Sequence, residues 1–94
     1  MEFEWNLKKA HINTKKHGVT FDEAKMIFND TLAYIFDDEW NSLEEKRELI
    51  IGHSTNQRLL IVSFTERSQG VIRIISARQT TAKERKDYEK QRTP

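Results

Sequence analysis

The sequence predicts an α+β domain: a mostly antiparallel sheet of about five strands, with two N-terminal helices and a C-terminal helix. Three observations predict it. Helix-start signals stand at Asn6 and Thr20 near the N-terminus, and again at Thr81 near the C-terminus. Three apolar runs, Glu48–Ser54, Arg58–Thr65 and Val71–Ala77, are separated by short polar turns and read as an antiparallel meander. A length of 94 residues suits one domain, spanning residues 1–94.

Phe3-Glu4-Trp5 alternates apolar and polar residues, as a short first strand does. Asn6 suits an N-cap, and Leu7–His17 reads as a helix closed by Gly18 in the left-handed conformation. Lys15, Lys16 and His17 gather at its C-terminus, where the helix dipole favours cations. Thr20-Phe21-Asp22-Glu23 has capping-box spacing, so a second helix is expected from Phe21 to Asn29, burying Phe21, Ala24, Ile27 and Phe28. Leu32–Phe36 reads as a strand and Trp40–Glu45 as an exposed loop, with Trp40 expected to cover the core edge or else to meet a partner. The turns Thr55-Asn56-Gln57 and Arg67–Gly70 join the three strands of the meander. Thr80–Arg92 is expected to be a helix, started by Thr81-Ala82-Lys83-Glu84 and docked through Tyr88.

Hydrophobic residues make up 36% of the chain and charged residues 33%, so the core should be small. The absence of cysteine excludes disulfides, thiolate metal sites and a cysteine nucleophile. No apolar run approaches the roughly 20 residues of a membrane helix. The acidic opening MEFEWNLKK does not resemble a secretory signal, and a cytoplasmic protein without membrane contact is expected. Net charge is +1, unevenly spread: residues 22–48 carry nine acidic and three basic side chains, and residues 66–94 four acidic and eight basic. That balance is too neutral for a protein that coats nucleic acid non-specifically, but it allows one positive face.

The segment Thr65–Arg78, TERSQGVIRIISAR, sets Glu66, Arg67, Arg73 and Arg78 beside the strand residues Val71, Ile72, Ile74 and Ile75. A buried strand needs no guanidinium. Either an anionic partner or ion pairs with the chain's own carboxylates accounts for them. Strict alternation places Arg73 and Arg78 on opposite faces unless a bulge intervenes.

Several stretches together resemble the BrnT family: FEW with its capped Lys-rich helix, KHGVTFDEA, IFDDEW, FTER and IRIISARQTTAKERKDYE. The resemblance runs from Phe3 to about Glu89. One departure is Asn6-Leu7, where many members have Asp-Pro; Asn keeps the cap, and losing Pro removes only preorganisation. The resemblance implies a RelE-like fold and a ribonuclease toxin of a type II toxin–antitoxin module, halting translation by cutting RNA. It further implies a BrnA-like antitoxin with a ribbon-helix-helix domain, two toxins joined through an antitoxin dimer, and promoter DNA bound through that antitoxin.

Metal-free RNA cleavage requires removing the 2′-OH proton, stabilising the phosphorane and protonating the leaving 5′-oxygen. Arginine suits the second task, because its planar fork matches phosphate and stays charged. Arg67 and Arg78 stand at element ends and are the expected phosphate clamp. Glu66 is the candidate base or else the salt-bridge partner of Arg67, and His17 a proton carrier or else a simple helix-end cation. Lys15, Lys16, Arg73, Lys83 and Arg85 are candidate RNA contacts. No cofactor is expected, and no His/Asp/Glu spacing suggests a metal. Two other readings stay open: a non-catalytic RelE-like module that binds antitoxin and contributes to promoter repression, and a stand-alone nucleic-acid binder.

Overall fold

The computed structural model describes residues 1–42 and 45–92. Its order is β1 (Glu2–Glu4), α1 (Leu7–His17), α2 (Phe21–Met26), β2 (Tyr34–Asp37), β3 (Glu48–His53), β4 (Leu59–Glu66), β5 (Val71–Gln79) and α3 (Ala82–Arg92). The five strands form one sheet in the order β1-β5-β4-β3-β2. β1 runs parallel to β5, and every other pairing is antiparallel.

Local chemistry starts the helices where expected. The Asn6 side chain accepts from the Lys9 N–H at 3.0 Å, and Gly18 closes α1 at φ 69°. Thr20 caps α2, but its α-helical part stops at Met26 and Ile27–Asn29 tightens into a 3-10 turn. Glu23 does not reach back to its cap as expected. It turns away to Arg58, whose Nε donates to Oε2 at 2.9 Å, and Ser54 Oγ donates to the same oxygen at 2.7 Å. The Arg58 guanidinium, with help from Ser54, holds the buried Glu23 carboxyl below the ordinary range against its desolvation. Arg58 also donates to the Gly18 carbonyl at 3.0 Å, joining the α1–α2 corner to the β3–β4 hairpin.

α1 and α2 cover one face of the sheet. Val19, Phe21, Ala24 and Ile27 pack there on Ile50, Leu60, Val62, Phe64, Ile72, Ile74 and Ala77. Phe28 bridges Phe3 and Phe64 edge to face, with centroids 5.1 Å from each. α3 lies on the other face, where Tyr88 meets Ile51 and Leu59. β2 is Tyr34–Asp37 rather than Leu32–Phe36, because Asp30 organises the preceding turn. One carboxylate oxygen accepts the Leu32 N–H, and the other accepts the His53 N–H at 2.8 Å. A Cβ on Gly52 would lie 3.0 Å from that of Ala33, tighter than ordinary packing, so glycine eases the close approach of the turn. Trp40 does not cover the core edge: it is 95% exposed in the 3-10 turn Glu39–Asn41. Leu43 and Glu44 of the expected loop lie outside the described residues.

β1 pairs with β5 only from Val71 to Arg73. Farther along β5, the Asn13 side chain takes the place of a strand. Its amide donates to the Ala77 carbonyl at 2.8 Å and its oxygen accepts the Ala77 N–H at 3.1 Å; the amide also donates to the Val19 carbonyl at 2.9 Å. Asn13→Ala strands two buried backbone groups of Ala77 and is expected to destabilise the fold by about 2 kcal/mol, read as a lower midpoint in urea unfolding.

Candidate functional site

The site is built on a register shift. Ser63 pairs with Ser76, but the next residue, Phe64, pairs with Ile74, which leaves Ile75 as an unpaired extra residue in β5. That bulge reverses the alternation, so Arg73 and Arg78 emerge on the same face of the sheet, the one opposite α1 and α2. Simple parity had separated them. Arg73 sits across from Thr65, and Arg78 across from Ile61. Their partners are four residues apart on β4, which spaces the two arginines by about 13 Å along the strand. Between them the face is floored by Ser63 and Ser76.

The expected clamp of Arg67 and Arg78 does not converge. Arg67 begins the β4–β5 turn, its N–H donating to the Val71 carbonyl at 2.9 Å. Arg78 pairs six residues away from it, roughly 20 Å along β4. Arg67 instead lies 3.9 Å from Glu45. Glu66 pairs with Ile72, a residue of the α1/α2 face, so its side chain leaves the strand away from Arg73. Lys15, Lys16 and His17 end α1, in the layer across the sheet. Lys83 and Arg85 are exposed on the first turns of α3.

Arg47 was missed by the sequence reading. Continuing the β3–β4 register by one residue puts it beside Thr65, in one row with Arg73. It is half-buried, its Nε has no hydrogen-bond partner among the described residues, and a Glu45 carboxylate oxygen lies 4.0 Å from it. A signal for it existed: Arg47 shares parity with Leu49 and Ile51, hence the face away from Ile50. It was hidden because that face only matters once Arg73 is known to share it.

Both β5 arginines have carboxylate neighbours. Arg73 donates to Glu4 at 3.1 Å, both groups being about one-third or more exposed. Arg78 makes a forked pair with Glu84, at 2.8 and 2.9 Å. The capping signal at Thr81 is responsible for that geometry. Thr81 and Glu84 satisfy each other's backbone N–H groups at 2.8 and 3.1 Å, which fixes the Glu84 carboxylate at the start of α3, facing Arg78. The Arg78 guanidinium is the main reason that Glu84 is held down to about 2, and the same bonds raise Arg78.

A profile of the family described as "Ribonuclease toxin, BrnT, of type II toxin-antitoxin system" matches residues 5–84. The chain belongs to the BrnT family. It is therefore one of a family of ribonuclease toxins, and a type II system implies an antitoxin partner. The fold is similar to that of the crystal structure of the Brucella abortus ribonuclease toxin BrnT, with a TM-score of 0.69, 22% identity, and coverage of 86% of this chain and 97% of that one. No curated protein matches the sequence. Among the described residues, no helix is long and apolar enough to cross a membrane.

The Arg78–Glu84 pair gives this BrnT chain an acid signature. A depressed carboxyl stabilises the fold fully above its ordinary value of 4.5, and that contribution is lost as pH falls towards about 2. Carbon-detected NMR titration is expected to place the Glu84 midpoint near 2. In Arg78→Ala the midpoint is expected to return towards the ordinary range, and an unshifted midpoint would show that the pair does not form in solution.

Proposed function

We propose that this BrnT-family chain is a metal-independent endoribonuclease that holds RNA phosphates on the sheet face opposite α1 and α2, which carries Arg73 and Arg78, with Arg47 in the same row. One observation supports this reading most: the β5 bulge turns both arginines to the face that α1 and α2 leave uncovered. Guanidiniums stay charged at any physiological pH and fork onto phosphate oxygens, so one that faces the scissile phosphate neutralises the charge that builds on the phosphorane while the other holds a neighbouring phosphate. At about 13 Å apart they engage different phosphates of one strand, Arg73 gripping and Arg78 nearer α3. Lys83 and Arg85, exposed beside Arg78 in sequence, extend the positive approach. His17 and Glu66 stand outside this face and have no role in the reading, and Arg67 serves at most the flanking RNA.

The partner in this reading is a BrnA-like antitoxin with a ribbon-helix-helix domain. Two toxins join through its dimer, and promoter DNA is contacted through the antitoxin. One observation favours a second reading. Arg78 is already neutralised by the forked Glu84, as suits a scaffold that binds antitoxin without cutting RNA.

Purified protein in excess EDTA is expected to cleave RNA. Whichever of Arg73→Ala and Arg78→Ala removes the guanidinium at the scissile phosphate is expected to slow cleavage by about 100- to 1,000-fold, the usual effect of removing one transition-state charge donor, and the other is expected to raise KM instead. Arg67→Ala is expected to stay within about tenfold of wild type, as for a residue outside the clamp. Cleavage that vanishes in EDTA would overturn metal independence. Equal activity in all variants would remove the site, and antitoxin binding without cleavage or growth arrest would establish the second reading.

A further inference from the structure

The sheet has two edges of different character. At one end β1 is three residues long and carries Glu2 and Glu4, a short and charged strand that discourages pairing. At the other end β2 is also short and closes on Asp37, but its first three residues are exposed and apolar. Tyr34, Ile35 and Phe36 are between 41% and 53% exposed, and the strand contains no lysine, proline or bulge. Asp38 donates its N–H to the Arg47 carbonyl at 2.9 Å. Bonded and non-bonded pairs alternate in an antiparallel ladder, so Tyr34 and Phe36 bond to β3 while the N–H and C=O groups of Ile35 and Asp37 point out of the sheet. The edge offers two pairs of backbone groups to an added strand.

Next to this edge, an open cleft of about 350 Å³ lies between the sheet and α3. Tyr34, Phe36, Ile51, Ile61 and Tyr88 make its walls apolar, and Asp87 stands on its rim. Its other carboxylate, Glu84, is the one engaged by Arg78. An apolar cleft with an acidic rim repels a phosphate backbone, so it is no extension of the RNA face. β2 also ends in Asp37 and runs directly into Asp38 and Glu39, within the stretch 22–48 that carries nine acidic and three basic residues.

We infer that β2 and this cleft are the docking surface for an extended segment of the antitoxin. That segment adds a strand beside β2, drops alternate apolar side chains between Tyr34, Phe36 and Tyr88, and carries lysine or arginine to meet Asp37, Glu39 and Asp87. Backbone pairing supplies the register, the cleft supplies apolar burial, and the charges select a basic strand over an acidic one. A segment seated there ends against Glu84, beside Arg78, and so covers the approach to one of the two proposed phosphate contacts. The inference rests on the toxin–antitoxin reading and names the partner surface within it.

The test uses purified chain and the antitoxin encoded beside it, with binding measured by calorimetry. Ile35→Pro removes an outward N–H without breaking a β2–β3 bond and is expected to weaken binding about tenfold. Phe36→Asp is expected to weaken it by about 30-fold or more, as for a buried anchor. Leu7→Asp, at a more exposed apolar position on α1, is expected to leave affinity unchanged. Circular dichroism matched to wild type shows that each variant folds; if Ile35→Pro does not, Phe36→Asp carries the test. Unchanged affinity in folded Phe36→Asp overturns the inference. So does a dimer of the chain alone, seen by sedimentation and dissolved by Phe36→Asp, because the occupant is then a second copy. RNA cleavage and growth arrest by the wild type alone test the ribonuclease reading separately, since antitoxin binding requires neither.

Discussion

One side-chain amide holds the helical layer to the strand that carries the arginines. β5 outruns its neighbour β1, and beyond Arg73 its outer backbone groups would be buried against α1 without partners. Asn13 accepts from the N–H of Ala77 and donates to its carbonyl. Because the same amide reaches the Val19 carbonyl, it also fixes the corner at which α1 turns into α2. An isolated buried amide is costly, whereas one with every bond satisfied sets a unique distance and register. Ala77 lies between Ser76 and Arg78, so the grip is applied where the bulge ends and the site begins.

The sheet then separates two tasks by face. Val62, Phe64, Ile72 and Ile74 point to α1 and α2 and make the core. The opposite face alternates with them and carries Ser63, Thr65, Ser76 and the arginines, which no helix covers except where α3 crosses one end. A regular β5 would have driven one of Arg73 and Arg78 into the core, at the cost of burying a charge. The unpaired Ile75 removes that conflict. β-Bulges recur beside functional sites because they re-aim side chains without altering the strands around them.

Charge is distributed to match. Glu23, Glu84 and Glu4 each hold one arginine, and the three pairs differ with their surroundings. The Glu23–Arg58 pair, with its buried carboxylate, is a structural tie among α1, α2 and the β3–β4 hairpin. The Arg78–Glu84 fork is half open to solvent and couples α3 to the site face. Glu4 and Arg73 meet across the parallel β1–β5 pairing, near the surface, where such a pair contributes little to stability.

The sequence by itself determined the element order, the caps and the apolar faces. Asn6, Gly18, Thr20 and Thr81 act through neighbours three or four residues away, and Phe21, Ala24, Ile27 and Phe28 form a stripe whose period needs no distant partner. Arginine-rich β5 and the family resemblance were legible for the same reason, since both are written in consecutive residues. Tertiary structure alone decided which arginines share a face. Nothing in VIRIISAR marks Ile75 as the extra residue, because the bulge follows from how β5 registers on β4, and simple parity therefore separates Arg78 from Arg73. Arg47 gained its place from that register, and Arg67 lost its convergence with Arg78 through the length of the same ladder. Glu23 and Glu84 have the same capping spacing, yet one turns to Arg58 and the other closes its cap while holding Arg78. Long-range partners make that choice, and a local pattern carries no information about them.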